Sequence, residues 1–248
     1  MKVLAAATHP DDIEFMMAGT LLRLKDAGCE IHLWNLANGC CGSATLSRDE
    51  ASAVRWKEAL ASAQLAGGTA HPPLFDDLGL YYDAPSVARA AAVIRQIQPH
   101  IILTQSTQDY MEDHQNTTRL VVTGAFTRAI KNFVTDPVVA IYEKPVALYH
   151  ALPHGLNDAL RQPVVPHFFT DIGPVLARKR AMLTCHASQK EWLDVTQGMD
   201  AYLDEMERMS RDVGRMSGKY EFAEGWRRHS HLGFGPEDFD PIADLLKT

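Results

Sequence analysis

The chain has 248 residues, 46% of them hydrophobic and 22% charged, with a formal net charge of −7. That length accommodates one sizeable α/β domain with a large core, and the acidic balance argues against nucleic acid, whose phosphates demand clustered Lys and Arg. No apolar run approaches the ~20 residues of a membrane span. Lys2 leads straight into an apolar run without the regions of a signal peptide, so a cytoplasmic protein is expected.

In chain order, the run Lys2–Ala7 reads as a buried strand. Phe15, Met16, Leu21, Leu22 and Leu24 then recur at a period near 3.6, which predicts a helix over 12–28. Further strands are expected at 30–37, 100–104, 138–142 and 167–172, with shorter ones near 74–75 and 146–149. Helices over 49–67, 86–98 and 115–131 alternate with the early strands. Such alternation favours parallel strands joined by right-handed crossovers, giving an α/β fold with a Rossmann-like, mostly parallel sheet flanked by helices. From Gly173 onward the pattern turns to helices over 173–187 and 189–213, and the segment 226–234 has no helical period. A single domain 1–248 is expected, with its core over about 1–190 and a helical and tail extension beyond. The four cysteines, Cys29, Cys40, Cys41 and Cys185, have no zinc-finger spacing, and the adjacent Cys40 and Cys41 are expected to point apart as ordinary thiols.

The most informative residues are His9-Pro10-Asp11-Asp12, directly behind the first strand. The C-terminal edge of an open α/β sheet is where ligands bind. His9 and Asp12, three apart, reach a common point, while Asp11 lies between them with a different aim. A hydrolytic zinc site needs three protein ligands, an open position for water and a carboxylate to take the proton of that water. Asp and Pro also suit a helix start, but a cap does not require His9. A second cluster follows the strand at 100–104: the polar, acidic loop 105–113 and then His114, where the next helix begins. If both strands are parallel members of one sheet, their loops open on the same edge, and His114 meets His9 and Asp12.

These two clusters resemble the LmbE-like, or PIG-L, family of zinc-dependent de-N-acetylases. The family's first motif is Ala-His-Pro-Asp-Asp-Glu; here Thr8 replaces the alanine and Ile13 separates Asp12 from Glu14. Asn38-Gly39 with Gly42, Arg55 with Glu58, 99–104, and Lys179 through His186-Ala187-Ser188-Gln189 follow the family pattern, so the resemblance covers roughly 1–190. It implies one zinc ion per chain on His9, Asp12 and His114, Asp11 as general base, and a small N-acetylated substrate of the N-acetylglucosamine type.

The chain departs from the pattern at Met111, where many members carry a histidine; a thioether can neither donate a proton nor carry a charge. Tyr110, His186, His229 and His231 are the candidate replacements, with His229 and His231 favoured as catalytic residues. Asn38, Arg55, Tyr110, Asp113 and His186 are candidates to touch substrate or support the ligands, Asp113 by fixing an imidazole tautomer. Two other classes stay open: a zinc-dependent hydratase or other hydrolase of a small carboxylic acid on the same scaffold, and a non-catalytic metal- or sugar-binding module. The lack of Gly-x-Gly-x-x-Gly after the first strand counts against dinucleotide binding. A homo-oligomer is left open.

Overall fold

The computed structural model describes residues 1–189 and 202–247. Its centre is β1 (Lys2–Ala7), whose residues 3–7 are fully buried. Val3, Ala5 and Ala7 pack into one apolar layer and Leu4 and Ala6 into another. A strand covered on both faces needs a continuous apolar run rather than an alternating one, and the sequence supplies it.

The first layer is built with α1 (Asp12–Met16), α2 (Ala18–Asp26), α3 (Arg48–Ala66), α6 (Leu176–Thr184) and α7 (Tyr202–Ser217). The second involves α4 (Ala84–Ile97) and α5 (Glu112–Phe126). Strands β2 (Glu30–Asn35), β3 (Thr69–His71), β4 (Ile101–Thr104), β5 (Ala147–Ala151), β6 (Phe168–Asp171) and β7 (Ala223–Arg228) complete one seven-stranded sheet in the order β3-β2-β1-β4-β5-β7-β6. From β3 to β5 all pairings are parallel, and β7 runs antiparallel to both β5 and β6. The chain leaves β1 toward β2 and β3, then returns through α4 to β4 on the other side. The order therefore reverses between β1 and β4, and the crevice at their carboxyl ends is the ligand position of such sheets. The expected α/β class with a mostly parallel sheet is what the chain adopts.

Several local expectations are corrected. The segment 138–142 is not a strand; β5 pairs with β4 in its place, and Val138 is 81% exposed. The segment 74–75 contributes only an isolated bridge from Phe75 to Ala37, and the edge strand β3 ends at His71, because Pro72 and Pro73 have no N–H to donate. The helix expected over 12–28 breaks at Met17. The carboxylate of Glu224 accepts from the amides of Gly19 (2.8 Å) and Thr20 (2.7 Å), so α2 starts afresh on a capping charge from β7.

The expected extension beyond 190 is not peripheral, since β7 lies inside the sheet between β5 and β6. Of the helix expected over 189–213, residues 190–201 lie outside the described residues, and 202–213 belong to α7. The last helix is α8 (Pro241–Leu246). Among the described residues no helix is long and apolar enough to cross a membrane.

Candidate metal centre

The parallel pairing of β1 with β4 matches Ala6 with Thr104, so the chain emerges from both strands at one edge. His9 and Asp12 follow β1, and His114 stands in the first turn of α5, which follows β4. One ligand atom from each of His9, Asp12 and His114 lies within 4.8 Å of the other two. Asp12 Oδ2 is the hub. It is 3.5 Å from His9 Nδ1 and 3.4 Å from His114 Nε2, and it accepts from the His9 amide (2.7 Å) and from Gln105 Nε2 (3.1 Å).

Charge is concentrated here. The neighbouring imidazoles hold the Asp12 carboxyl well below the usual carboxylate range, against the cost of burial. Burial alone would lower the His9 pKa, but Asp113 and Asp12 overcome it and push the ring up to about 10. A set whose rings keep protons only by leaning on carboxylates is one from which a divalent cation displaces those protons.

The ligand donors fit a zinc-class ion: two imidazoles and one carboxylate is a familiar three-ligand set. An orphaned group supports the fit. His114 is 2% exposed, and neither of its ring nitrogens has a well-formed hydrogen bond among the described residues. Its Nδ1 lies 3.1 Å from Asp109 Oδ2, which leaves Nε2 directed at the Asp12 side. Support around the set also comes from Gln105, whose Oε1 accepts from Thr8 Oγ1 at 2.6 Å, so its amide is oriented to donate to Asp12. Asp113, expected beside His114, instead lies with Oδ2 3.4 Å from His9 Nε2 and accepts from the Leu78 amide at 2.7 Å. Asp109 takes the place beside His114.

Asp11 differs from its neighbour. Its φ of 116° is a left-handed conformation rare for a residue with a side chain, and such strain persists where surrounding structure demands it. Its Oδ2 accepts from the Tyr202 hydroxyl at 2.6 Å, and its Oδ1 is 3.6 Å from Arg55 Nη2. Burial raises the Asp11 pKa, opposed by Arg55. Arg55 is itself buried and donates to the carbonyl of Pro10, so it braces the motif from behind. His186 is fully buried, with Nε2 3.3 Å from Glu14 Oε1.

The remaining expected residues are dispersed. Tyr110 is half exposed, with its ring centroid 6.0 Å from that of His114. Asn38 is tied to Asp76 at 2.6 Å and lines a cavity of about 390 Å³ with Trp56, Arg48 and Pro73.

The structure does not bring the two tail histidines to this set. Antiparallel β7 carries the chain away from the edge that holds His9: Trp226 pairs with Ala151, Arg228 with Tyr149, and the His229 amide donates to Leu148. His231 lies beyond, beside Val146 and Ala147 at the opposite edge. The His229 ring is bonded to His150 Nε2 (2.9 Å), and His150 Nδ1 pairs with the carbonyl of Gln105 (2.8 Å), so His229 backs the loop after β4 rather than standing at the ligand set. From sequence, no role is assigned to Tyr202, Gln105 or Asp109. Gln105 and Asp109 carried one usable signal, their place in the polar loop immediately after a buried strand.

The fold is a doubly wound α/β one, with a His/Asp/His group that could hold a metal ion at its topological switch point. Residues 4–125 match the family model described as GlcNAc-PI de-N-acetylase (PIG-L). That match covers just under half of the chain and agrees with the PIG-L, or LmbE-like, family that its motifs resemble. The diacetylchitobiose deacetylase of Thermococcus kodakarensis is 27% identical over 233 residues, 91% of this chain and 82% of that protein. The structure of N,N'-diacetylchitobiose deacetylase from Pyrococcus horikoshii superposes with a TM-score of 0.76 at 22% identity, covering 97% of this chain and 88% of that one. The 4-carboxy-2-hydroxymuconate hydratase of Pseudomonas putida has a TM-score of 0.70 at 21% identity, covering 92% of this chain and 96% of that one. These likenesses establish the shared fold.

Proposed function

We propose that this protein hydrolyses the acetamide of a small N-acetylated sugar of the N-acetylglucosamine type, releasing acetate and a free amine. In this reading His9, Asp12 and His114 hold one zinc ion and Asp11 is the general base. The observation that carries it is the pairing of a three-donor ligand set with an adjacent carboxylate whose backbone is held in a left-handed conformation. The family match and the deacetylase relative support it. Zinc on such a set supplies Lewis acidity toward the amide carbonyl and makes water acidic enough to react near neutral pH.

The residues of the chain do the rest. Asp11 Oδ2 is occupied by the Tyr202 hydroxyl, which leaves Oδ1 as the atom that takes the proton of the attacking water. Arg55, 3.6 Å from Oδ1, favours the ionised carboxylate, while burial favours the protonated one. A base balanced in this way can return its proton to the departing nitrogen, which otherwise leaves poorly as an anion. Asp113 and Asp109 orient the two imidazoles from behind. With Met111 in place of the family histidine, proton delivery to the amine falls to Asp11.

The test is acetate release by the zinc-loaded protein over a panel of N-acetylated mono- and disaccharides, with a small unsaturated hydroxy acid as comparator. Acetate from the sugars supports the reading. Hydration of the acid without acetate from any sugar would replace it with the hydratase alternative.

A further inference from the structure

A second group of ligand-type atoms lies outside this set. Cys40 Sγ, Cys41 Sγ and a carboxylate oxygen of Asp77 lie within 4.8 Å of one another. Adjacent cysteines were expected to diverge, but here their sulfurs stand 4.0 Å apart. The cause is the turn of the loop. Asp77 accepts from the amides of Gly39 (2.7 Å) and Cys41 (2.8 Å), and the chain curls around that carboxylate with Gly39 at a φ of +76°.

The sulfur separation discriminates between two chemistries. A disulfide needs about 2.05 Å, roughly half of what is observed. Two thiolates on one tetrahedral zinc, each at about 2.3 Å, are held about 3.8 Å apart by geometry alone. The observed 4.0 Å excludes a disulfide and fits a chelating pair as well as two thiols in contact. Charge agrees with this. Two thiolates and a carboxylate around a divalent ion leave one negative charge, and Arg48 stands beside it with Nη1 3.2 Å from Cys41 Sγ while its Nη2 pairs with Asp76 Oδ2 at 2.9 Å. Cys41 is exposed and Cys40 buried, so the pair opens to solvent on one side.

We propose that Cys40, Cys41 and Asp77 form a second metal site, separate from His9, Asp12 and His114, that takes a thiophilic divalent ion of the zinc class. Soft thiolates select such ions over magnesium or calcium. The site also has a mechanical consequence. Gly39 and Gly42 close on the guanidinium of Arg55 so tightly that a Cβ at either would meet an Arg55 atom at 2.5 Å. An ion that pins this loop therefore pins the side chain that braces Pro10 and stands beside Asp11.

The experiment is a Co²⁺ titration of the full chain in a non-thiol reductant, read by near-ultraviolet absorption. Thiolate-to-cobalt charge transfer reports cysteine ligation, and imidazole and carboxylate ligands do not give it. The band should appear in the wild type, persist in His114→Ala, and be lost in Cys41→Ser. Cys40→Ser should lose it as well; if burial makes that variant fail to fold, the exposed Cys41→Ser carries the test. No band in the wild type, or an undiminished band in Cys41→Ser, overturns the second site, and neither result bears on the hydrolytic reading.

Discussion

Replacing Tyr202 by Phe isolates the contact that tunes the proposed base. The ring is 1% exposed and packs edge-on against Phe15 at 5.0 Å, so Phe keeps the packing and removes only the hydroxyl. That hydroxyl donates to Asp11 Oδ2 at 2.6 Å and stabilises the ionised carboxylate. A buried hydrogen bond to a charged group contributes about 1.5–3 kcal/mol. At 1.36 kcal/mol per pKa unit, its loss raises the Asp11 pKa by about 1–2 units. A base must be ionised to act, so the acidic limb of the kcat–pH profile should move up by about 1–2 units, with the plateau at higher pH little changed. The assay is acetate release from the best sugar of the panel, with metal content checked at each pH. An unmoved acidic limb accompanied by a uniform fall in kcat would refute the reasoning and make Tyr202 a packing residue.

Metal-free protein should lose stability as pH rises. The His9 pKa is raised from 6.5 to about 10, so its contribution is fully present below pH 6.5 and is lost as pH climbs toward 10. Melting temperatures of chelator-treated protein should fall across that window, and a flat or rising profile contradicts the charge arrangement. Gln105→Ala removes an orienting donor to Asp12 and should weaken zinc binding about 10–100-fold, read by competition with a chromophoric chelator; unchanged affinity would show that Gln105 orients nothing. His231→Ala should leave turnover at the wild-type value, because its side of the sheet is not the ligand edge; a 10-fold fall would give His231 a catalytic role.

His9, Asp12 and His114 were legible because each lies just after a buried strand, and parallel pairing carries both loops to one edge. Asp11 was legible as the neighbour with a different aim, although nothing in the sequence foretold the left-handed backbone that sets that aim. Tyr202 was not legible, since its bond to Asp11 spans 191 residues and only the packing of α7 makes it. Strand β7 was missed because Ala-Glu-Gly-Trp-Arg-Arg looks too charged to lie inside a sheet. Glu224 is buried only because Lys179 meets it at 2.7 Å and the amides of Gly19 and Thr20 satisfy the rest. Missing β7 also misplaced His229 and His231, whose positions follow from the direction of that strand. The Cys40 and Cys41 sulfurs face one another because a distant carboxylate, Asp77, shapes their loop, and local sequence does not encode that.

The central claim is that Asp11 moves the proton while His9, Asp12 and His114 hold the metal. Asn tolerates the same left-handed backbone and keeps the shape of the side chain, but its amide cannot take a proton. The measurement is single-turnover acetate release by zinc-loaded Asp11→Asn beside the wild type, with zinc counted in the same samples. The account requires a fall of about 10²–10⁴-fold with zinc retained. Near-normal acetate release by the zinc-replete variant would contradict it.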